Sequence, residues 1–159
     1  MGTGCCLEKR MQNQYMMAAL EEARQAGMVG EVPVGAVVVR GGRIIARAHN
    51  TREREQNPLC HAELLAIDRA CRQTGCWRLE DCDLYVTLEP CAMCAGAIMQ
   101  ARLRRLYFGA YDSAAGYVVS CAHRLDDPAA GGRTEYYCGL MEEECQKVLK
   151  EFFSNLRKR

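Results

Sequence analysis

DLYVTLEPCAMCAGAIMQARLRRLYFG, residues 83–109, reads as strand, helix and strand in succession. Asp83 to Thr87 is a short run of β-forming residues. Pro90 precedes a helix from about Cys91 to Ala101, whose alanines and methionines allow tight packing against a sheet. Arg104 to Gly109 is again a strand. Upstream, Ala62 to Arg72 carries Leu64, Leu65, Ile67 and Ala70 at apolar positions with no glycine, and predicts a helix. The polar residues 50–59, with Pro58, predict a loop leading into it. Pro33 to Arg40 and Arg43 to His49 read as two strands joined at Gly41-Gly42. Residues 10–27 have Met16, Met17, Leu20 and Ala23 at helical spacing and end near Gly27.

Downstream, residues 112–133 hold Gly116, Pro128 and Gly131-Gly132 and allow one short helix around 117–124. Thr134 to Tyr137 predicts a fifth strand. Leu140 to Leu156 predicts a closing helix with Met141, Cys145, Val148, Leu149 and Phe152 on its apolar face. Alternation of this kind implies an α/β fold, a sheet covered by helices on both faces.

Composition bounds the rest. A chain of 159 residues fits one domain, residues 1–159, burying about 70% of its unfolded surface; residues 1–9 are expected to be a flexible extension. No stretch approaches the roughly 18 apolar residues of a membrane span, so no membrane partner is expected. Met1 to Arg10 lacks the apolar region of a secretory signal. Gly2 fails the myristoylation pattern because Cys6 stands where Ser or Thr is required. A lipid on Cys5 or Cys6 is a weaker reading than a short frayed terminus. Eleven cysteines at irregular spacing do not form a disulfide framework; most are expected to be small buried hydrophobes in a reducing cytoplasm. The net charge of +1 gives little sign of a nucleic-acid partner, since a dedicated polyanion binder usually shows a stronger excess, and bulk charge leaves the question open. The basic residues are nevertheless mostly arginine, which suits phosphate recognition.

The residues that carry chemistry are His61-Ala62-Glu63 and Pro90-Cys91-Ala92-Met93-Cys94. One histidine and two cysteines can hold a zinc ion and leave its fourth position to water, the arrangement of catalytic rather than structural zinc. Cys91 and Cys94, three apart, lie on one side of a helical turn, and a helix N-terminus favours the thiolate form. Glu63 is placed to move protons between the water, a ring nitrogen and a leaving amine. Taken singly the pieces are bland: Cys91-x-x-Cys94 fits a redox pair or half of a structural site, and His61 fits a core histidine. Together, H-x-E followed by P-C-x-x-C is similar to the signature of zinc-dependent nucleobase deaminases, which attack C6 of adenine or C4 of cytosine.

Further stretches carry a closer resemblance. Glu31-Val32-Pro33-Val34-Gly35-Ala36-Val37, Leu84-Tyr85-Val86-Thr87-Leu88-Glu89-Pro90-Cys91, Cys94-Ala95-Gly96-Ala97 and Phe108-Gly109-Ala110-Tyr111-Asp112 resemble the bacterial tRNA-specific adenosine deaminases. The resemblance runs over roughly residues 12–157. It implies the cytidine deaminase-like three-layer α/β/α sandwich with a mixed five-stranded sheet, one zinc ion per subunit, and a cytoplasmic homodimer. It also implies that the substrate is the wobble adenosine of a tRNA anticodon stem-loop, converted to inosine. Asn50 and Asp112 would orient the flipped nucleotide, Val34 would line the base pocket, main-chain groups at Ala62 would hold the base, and Phe153 would contact RNA from the C-terminal helix. Plainer roles stand beside these: Asn50 in a turn, Asp112 as a cap, Val34 and Phe152 in the core.

The chain departs from the family after Asp112. There Ser113-Ala114-Ala115-Gly116-Tyr117-Val118-Val119-Ser120 lacks the family's lysine and adds bulk. Arg104, Arg105, Arg133 and Arg157-Lys158-Arg159 are candidate compensating charges. The departure keeps open an alternative, deamination of a free guanine- or cytosine-type base or nucleoside by the same site. Cys60, beside His61, is expected to point away from the metal because adjacent residues do not share a helix face.

Overall fold

The protein, represented by a computed structural model, is described over residues 3–130 and 133–159. The readings of Gly2, of the Cys5 and Cys6 side chains, and of Gly131-Gly132 lie outside what is described. Five strands form one sheet in the order β2-β1-β3-β4-β5: β1 Gly35–Arg40, β2 Arg43–His49, β3 Cys82–Leu88, β4 Arg105–Ala110 and β5 Glu135–Tyr137. β1 runs antiparallel to β2 and β3, whereas β3, β4 and β5 are parallel, so the sheet is mixed. The helices are α1 Thr3–Met28, α2 Arg52–Glu55, α3 Ala62–Thr74, α4 Ala92–Gln100 and α5 Glu142–Arg157.

The period of two along each strand builds the layers. Ala36, Val38, Leu84, Val86, Leu106 and Phe108 share one core with Ala62, Ala66 and Ala70 of α3 and Ile98 of α4. Their neighbours Val37, Val39, Tyr85 and Tyr107 share the other with Met16, Ala19 and Leu20 of α1 and Cys145 of α5. Burial of each large aliphatic side chain stabilises by about 1.5–3 kcal/mol. Close approach of α1 to β1 depends on Gly35, where a Cβ would stand 2.0 Å from the Ala19 carbonyl oxygen. The strand pairings bring several chain ends together: Gly35 pairs His49, Ala36 pairs Val86, and Leu88 pairs Ala110. The start of β1 and the ends of β2, β3 and β4 therefore meet at one end of the sheet, where α3 and α4 begin.

Helix α1 starts at Thr3, so residues 3–9 are helical. Three expectations change. Residues 50–59 contain α2, a single turn without apolar periodicity, whose Glu53 and Arg54 N–H groups donate to the buried Glu31 carboxylate. The short helix around 117–124 does not form: residues 117–120 are a turn, followed by 3-10 turns at Arg124–Asp126 and Pro128–Ala130. The Val118, Val119 and Ser120 N–H groups there donate to the Glu89 carboxylate. Beyond them Cys121 N–H reaches the Gly116 carbonyl and Arg124 N–H the Tyr117 carbonyl, spans too long to propagate a helix. Among the other cysteines, Cys60, Cys82 and Cys145 are buried as expected, but Cys76, Cys121 and Cys138 are exposed. Among the described residues no helix is long and apolar enough to cross a membrane.

Candidate metal centre and cleft

Both halves of the motif sit at helix starts. His61 is the N-cap of α3 and Cys91 the N-cap of α4, each with extended backbone, and neither side chain is used to cap its helix. The caps give their carbonyls to the helix instead, to Leu65 N–H at 3.0 Å and to Ala95 N–H at 2.8 Å. Their side chains are thereby free to converge. Cys91 Sγ lies 3.8 Å and Cys94 Sγ 3.6 Å from His61 Nδ1. A tetrahedral zinc with ordinary bond lengths needs nitrogen–sulfur separations of about 3.6 Å, so the spacing fits such an ion. Among the described residues, His61, Cys91 and Cys94 are the group of this kind, and buried Cys60 stands outside it.

The electrostatics suit a cation. Cys91 is held down to about 3, first by the Cys94 thiol that donates to it and then by His61. Cys94 is raised by that same hydrogen bond and by burial. The His61 ring is raised chiefly by its hydrogen bond to Cys91, against the opposing effect of burial. Glu63, on the first turn of α3, is buried, and burial pushes its carboxyl up to about 7 despite its own main-chain N–H and the nearby His61.

These groups open into a cleft of about 160 Å³ bordered by Val34, Asn50, His61, Glu63, Cys91 and Asp112, and also by Arg52 and Ala115. Asn50 and Asp112 each do local work as well. Asn50 Oδ1 accepts the Ala62 N–H at 2.8 Å and so ties the end of β2 to the His61 turn. Asp112 Oδ1 accepts the Ala114 and Ala115 N–H groups at 3.0 Å, a turn cap rather than a helix cap. Ala62 is fully buried and does not line the cleft. Phe153 is on α5, 42% exposed and edge-on to Phe152, and is likewise outside the cleft.

Three residues at the site had no role in the sequence reading. Arg52 lines the cleft from α2, and only its charge could have signalled it. Glu31 and Glu89 are 2% exposed, and each takes up main-chain N–H groups of a loop beside the cleft. Each adjoins an apolar run, and a carboxylate buried there needs donors.

The comparisons agree with this geometry. A family model described as MafB19-like deaminase matches residues 11–157. The chain is 49% identical over 145 residues to the tRNA-specific adenosine deaminase of Bacillus subtilis, covering 91% of this chain and 90% of that one. A solved structure from work on A-to-I editing by tRNA:A34 deaminases at the wobble position of transfer RNA superposes with a TM-score of 0.83 at 46% identity, covering 86% of this chain and 99% of the other. A guanine deaminase structure from Bacillus subtilis is less similar, with a TM-score of 0.60 at 33% identity, covering 77% and 70%. The chain belongs to the MafB19-like deaminases and, within them, to the tRNA-specific adenosine deaminases.

Proposed function

We propose that the protein is a zinc-dependent hydrolase that deaminates adenosine to inosine at the wobble position of tRNA. The observation that carries the chemistry is the convergence of His61 Nδ1, Cys91 Sγ and Cys94 Sγ at zinc-ligand spacing beside the buried Glu63. The similarity to tRNA-specific adenosine deaminases over nine-tenths of the chain supports the substrate. His61, Cys91 and Cys94 would hold one zinc ion per subunit. When bound, zinc lowers the pKa of water from about 15.7 to about 7, which makes hydroxide available at neutral pH.

Glu63 does the proton work. Burial raises its carboxyl to about 7 in the absence of a metal, and a buried carboxyl beside the metal centre can both accept and release a proton. It takes one proton of the attacking water and passes it to the adenine ring nitrogen, then takes the remaining hydroxyl proton at C6 and delivers it to the departing amine; adenosine and water thus yield inosine and ammonia. Val34 forms the apolar wall against the base, and Asn50 and Asp112 border the nucleotide. Asn50 also steadies the His61 turn through the Ala62 N–H. Phe153, outside the cleft, would meet RNA beyond the reacting nucleotide. The reading extends to one catalytic domain that acts as a homodimer in the cytoplasm, where tRNA is found.

The test is to incubate zinc-loaded protein with an anticodon stem-loop bearing adenosine at position 34, and separately with free adenosine, cytosine and guanine. Inosine in the stem-loop with stoichiometric ammonia is expected. Ammonia from a free base with none from RNA would establish the alternative and overturn the tRNA substrate.

A further inference from the structure

The segment after Asp112, where the chain departs from its family, is held by a residue that the chemistry above does not use. Glu89 lies between the end of β3 and Pro90-Cys91, and its carboxylate is buried. Five donors converge on it. Oε1 accepts Val118 N–H at 3.2 Å, Val119 N–H at 2.8 Å and Ser120 N–H at 2.9 Å. Oε2 accepts Asp112 N–H at 3.1 Å and the Ser120 hydroxyl. The adjoining Pro90 carbonyl accepts Tyr117 N–H at 2.9 Å. Gly116 lies directly against the carboxylate, since a Cβ there would stand 2.3 Å from Glu89 Cδ. The segment's own main-chain bonds are few, Gly116 N–H to Asp112, Cys121 N–H to Gly116 and Arg124 N–H to Tyr117, and Glu89 is the side chain that takes up the N–H groups of residues 118–120 between them.

That side chain also has a fixed relation to the metal centre. Glu89 N–H is bonded to the Ala110 carbonyl at 2.8 Å, and two residues later Cys91 supplies a ligand. Asp112 and Ala115, on the held segment, border the same cleft as His61 and Glu63. We propose that Glu89 is a positioning residue for substrate, setting the distance of the 112–120 wall from the metal ligands. The proposal rests on the deaminase reading above and deepens it. In this chain the wall carries no lysine to grip a phosphate, so its placement rather than its charge supplies its contribution to binding.

Two measurements on the zinc-loaded protein test this, one of them without substrate. Glu89→Gln keeps the size of the side chain but replaces one acceptor oxygen by an NH2 group that faces donors. Hydrogen exchange at residues 112–121 should accelerate at least about 10-fold, the scale of losing a hydrogen bond to a charged group, while α3 and α4 keep their protection. The KM for the stem-loop should rise about 10-fold, with kcat and zinc content nearly unchanged. Ser120→Ala, which removes one donor and spares the carboxylate, should give a smaller change of the same kind, and Ser120→Thr should restore it. Unchanged exchange in 112–121, or faster exchange spread evenly over the sheet, would overturn the proposal. So would a fall in kcat with zinc loss at constant KM. Should the wild-type protein deaminate no RNA, the proposed substrate fails, and the exchange result still decides the role of Glu89.

Discussion

Glu63 and Glu89 are both buried carboxylates, one two residues after His61 and the other two residues before Cys91, which belong to the group that could hold a metal ion. Their ionisation moves in opposite directions. Burial raises Glu63 to about 7, because few donors offset it. Burial opposes ionisation of Glu89 as well, but the Ser120 hydroxyl and the Val119, Ser120 and Asp112 N–H groups outweigh it and hold its pKa below the usual carboxylate value. Both side chains are nearly inaccessible, but Glu63 is the more deeply enclosed, so burial raises it while the donors around Glu89 keep that carboxylate ionised down to a lower pH. Depth and donors together separate the carboxylate proposed to carry protons from the one that holds a loop.

The largest effect should come from Glu63→Gln. Loss of the proton carrier should reduce turnover by roughly 10²–10⁴-fold while zinc content stays at one per chain. Retained turnover, measured as ammonia release, would put Glu63 in the architectural class with Glu89.

Opposite shifts also predict opposite pH signatures in the zinc-free protein. Glu63 has a folded-state pKa above its unfolded value, so the folded chain keeps a proton that the unfolded chain has released. Its stability cost therefore grows as pH rises from about 4.5 to about 7 and then levels off. Glu63→Gln should stabilise the zinc-free protein at pH 8, by up to about 3 kcal/mol, and should do nothing at pH 4. Glu89 has the reverse sign. Its contribution is fully present above the ordinary carboxylate range and is lost as pH falls through its lower folded value. Glu89→Gln should therefore melt below wild type at neutral pH, with the gap closing in acid. Parallel melting curves for the two variants would break the comparison.

Gly116→Ala sharpens the Glu89 side alone. The added methyl group meets the carboxylate that organises residues 112–120, and overpacking of this kind costs about 1–3 kcal/mol. Thermal melting should show that loss, with zinc affinity unchanged. A neutral substitution would mean that the segment has room to move off Glu89.

The parts of this molecule that were legible in its sequence are those set by periodicity and by residue type. Val37 and Val38 alternate between the two cores, as the valine-rich run of β1 required. His61, Cys91 and Cys94 converge because both helix starts stand at one end of the sheet. The parts that escaped are set by one side chain acting on distant main chain. Glu31 organises α2 across 22 and 23 positions, and Glu89 replaces an expected helix near 117–124 with a carboxylate-bound turn across 29 to 31. Hydrogen bonds to peptide N–H groups are blind to the identity of the donor residue, so local patterning in those loops carries no trace of them.

The smallest effect tests whether nearness in sequence confers chemistry at all. Cys60 adjoins His61 as closely as any residue can, yet it is buried and outside the metal-binding group. What ties it to the site is main chain: its carbonyl accepts Thr51 N–H at 3.1 Å, and its N–H donates to the Asn57 carbonyl at 3.2 Å. Cys60→Ala keeps both bonds and removes only the thiol. Zinc content and turnover should match wild type, with a stability loss of about 1 kcal/mol for the small void. A drop in metal affinity would instead make Cys60 a participant in the centre. Its absence would place Cys60 with Glu89, as a residue beside the reaction whose work is done on the backbone.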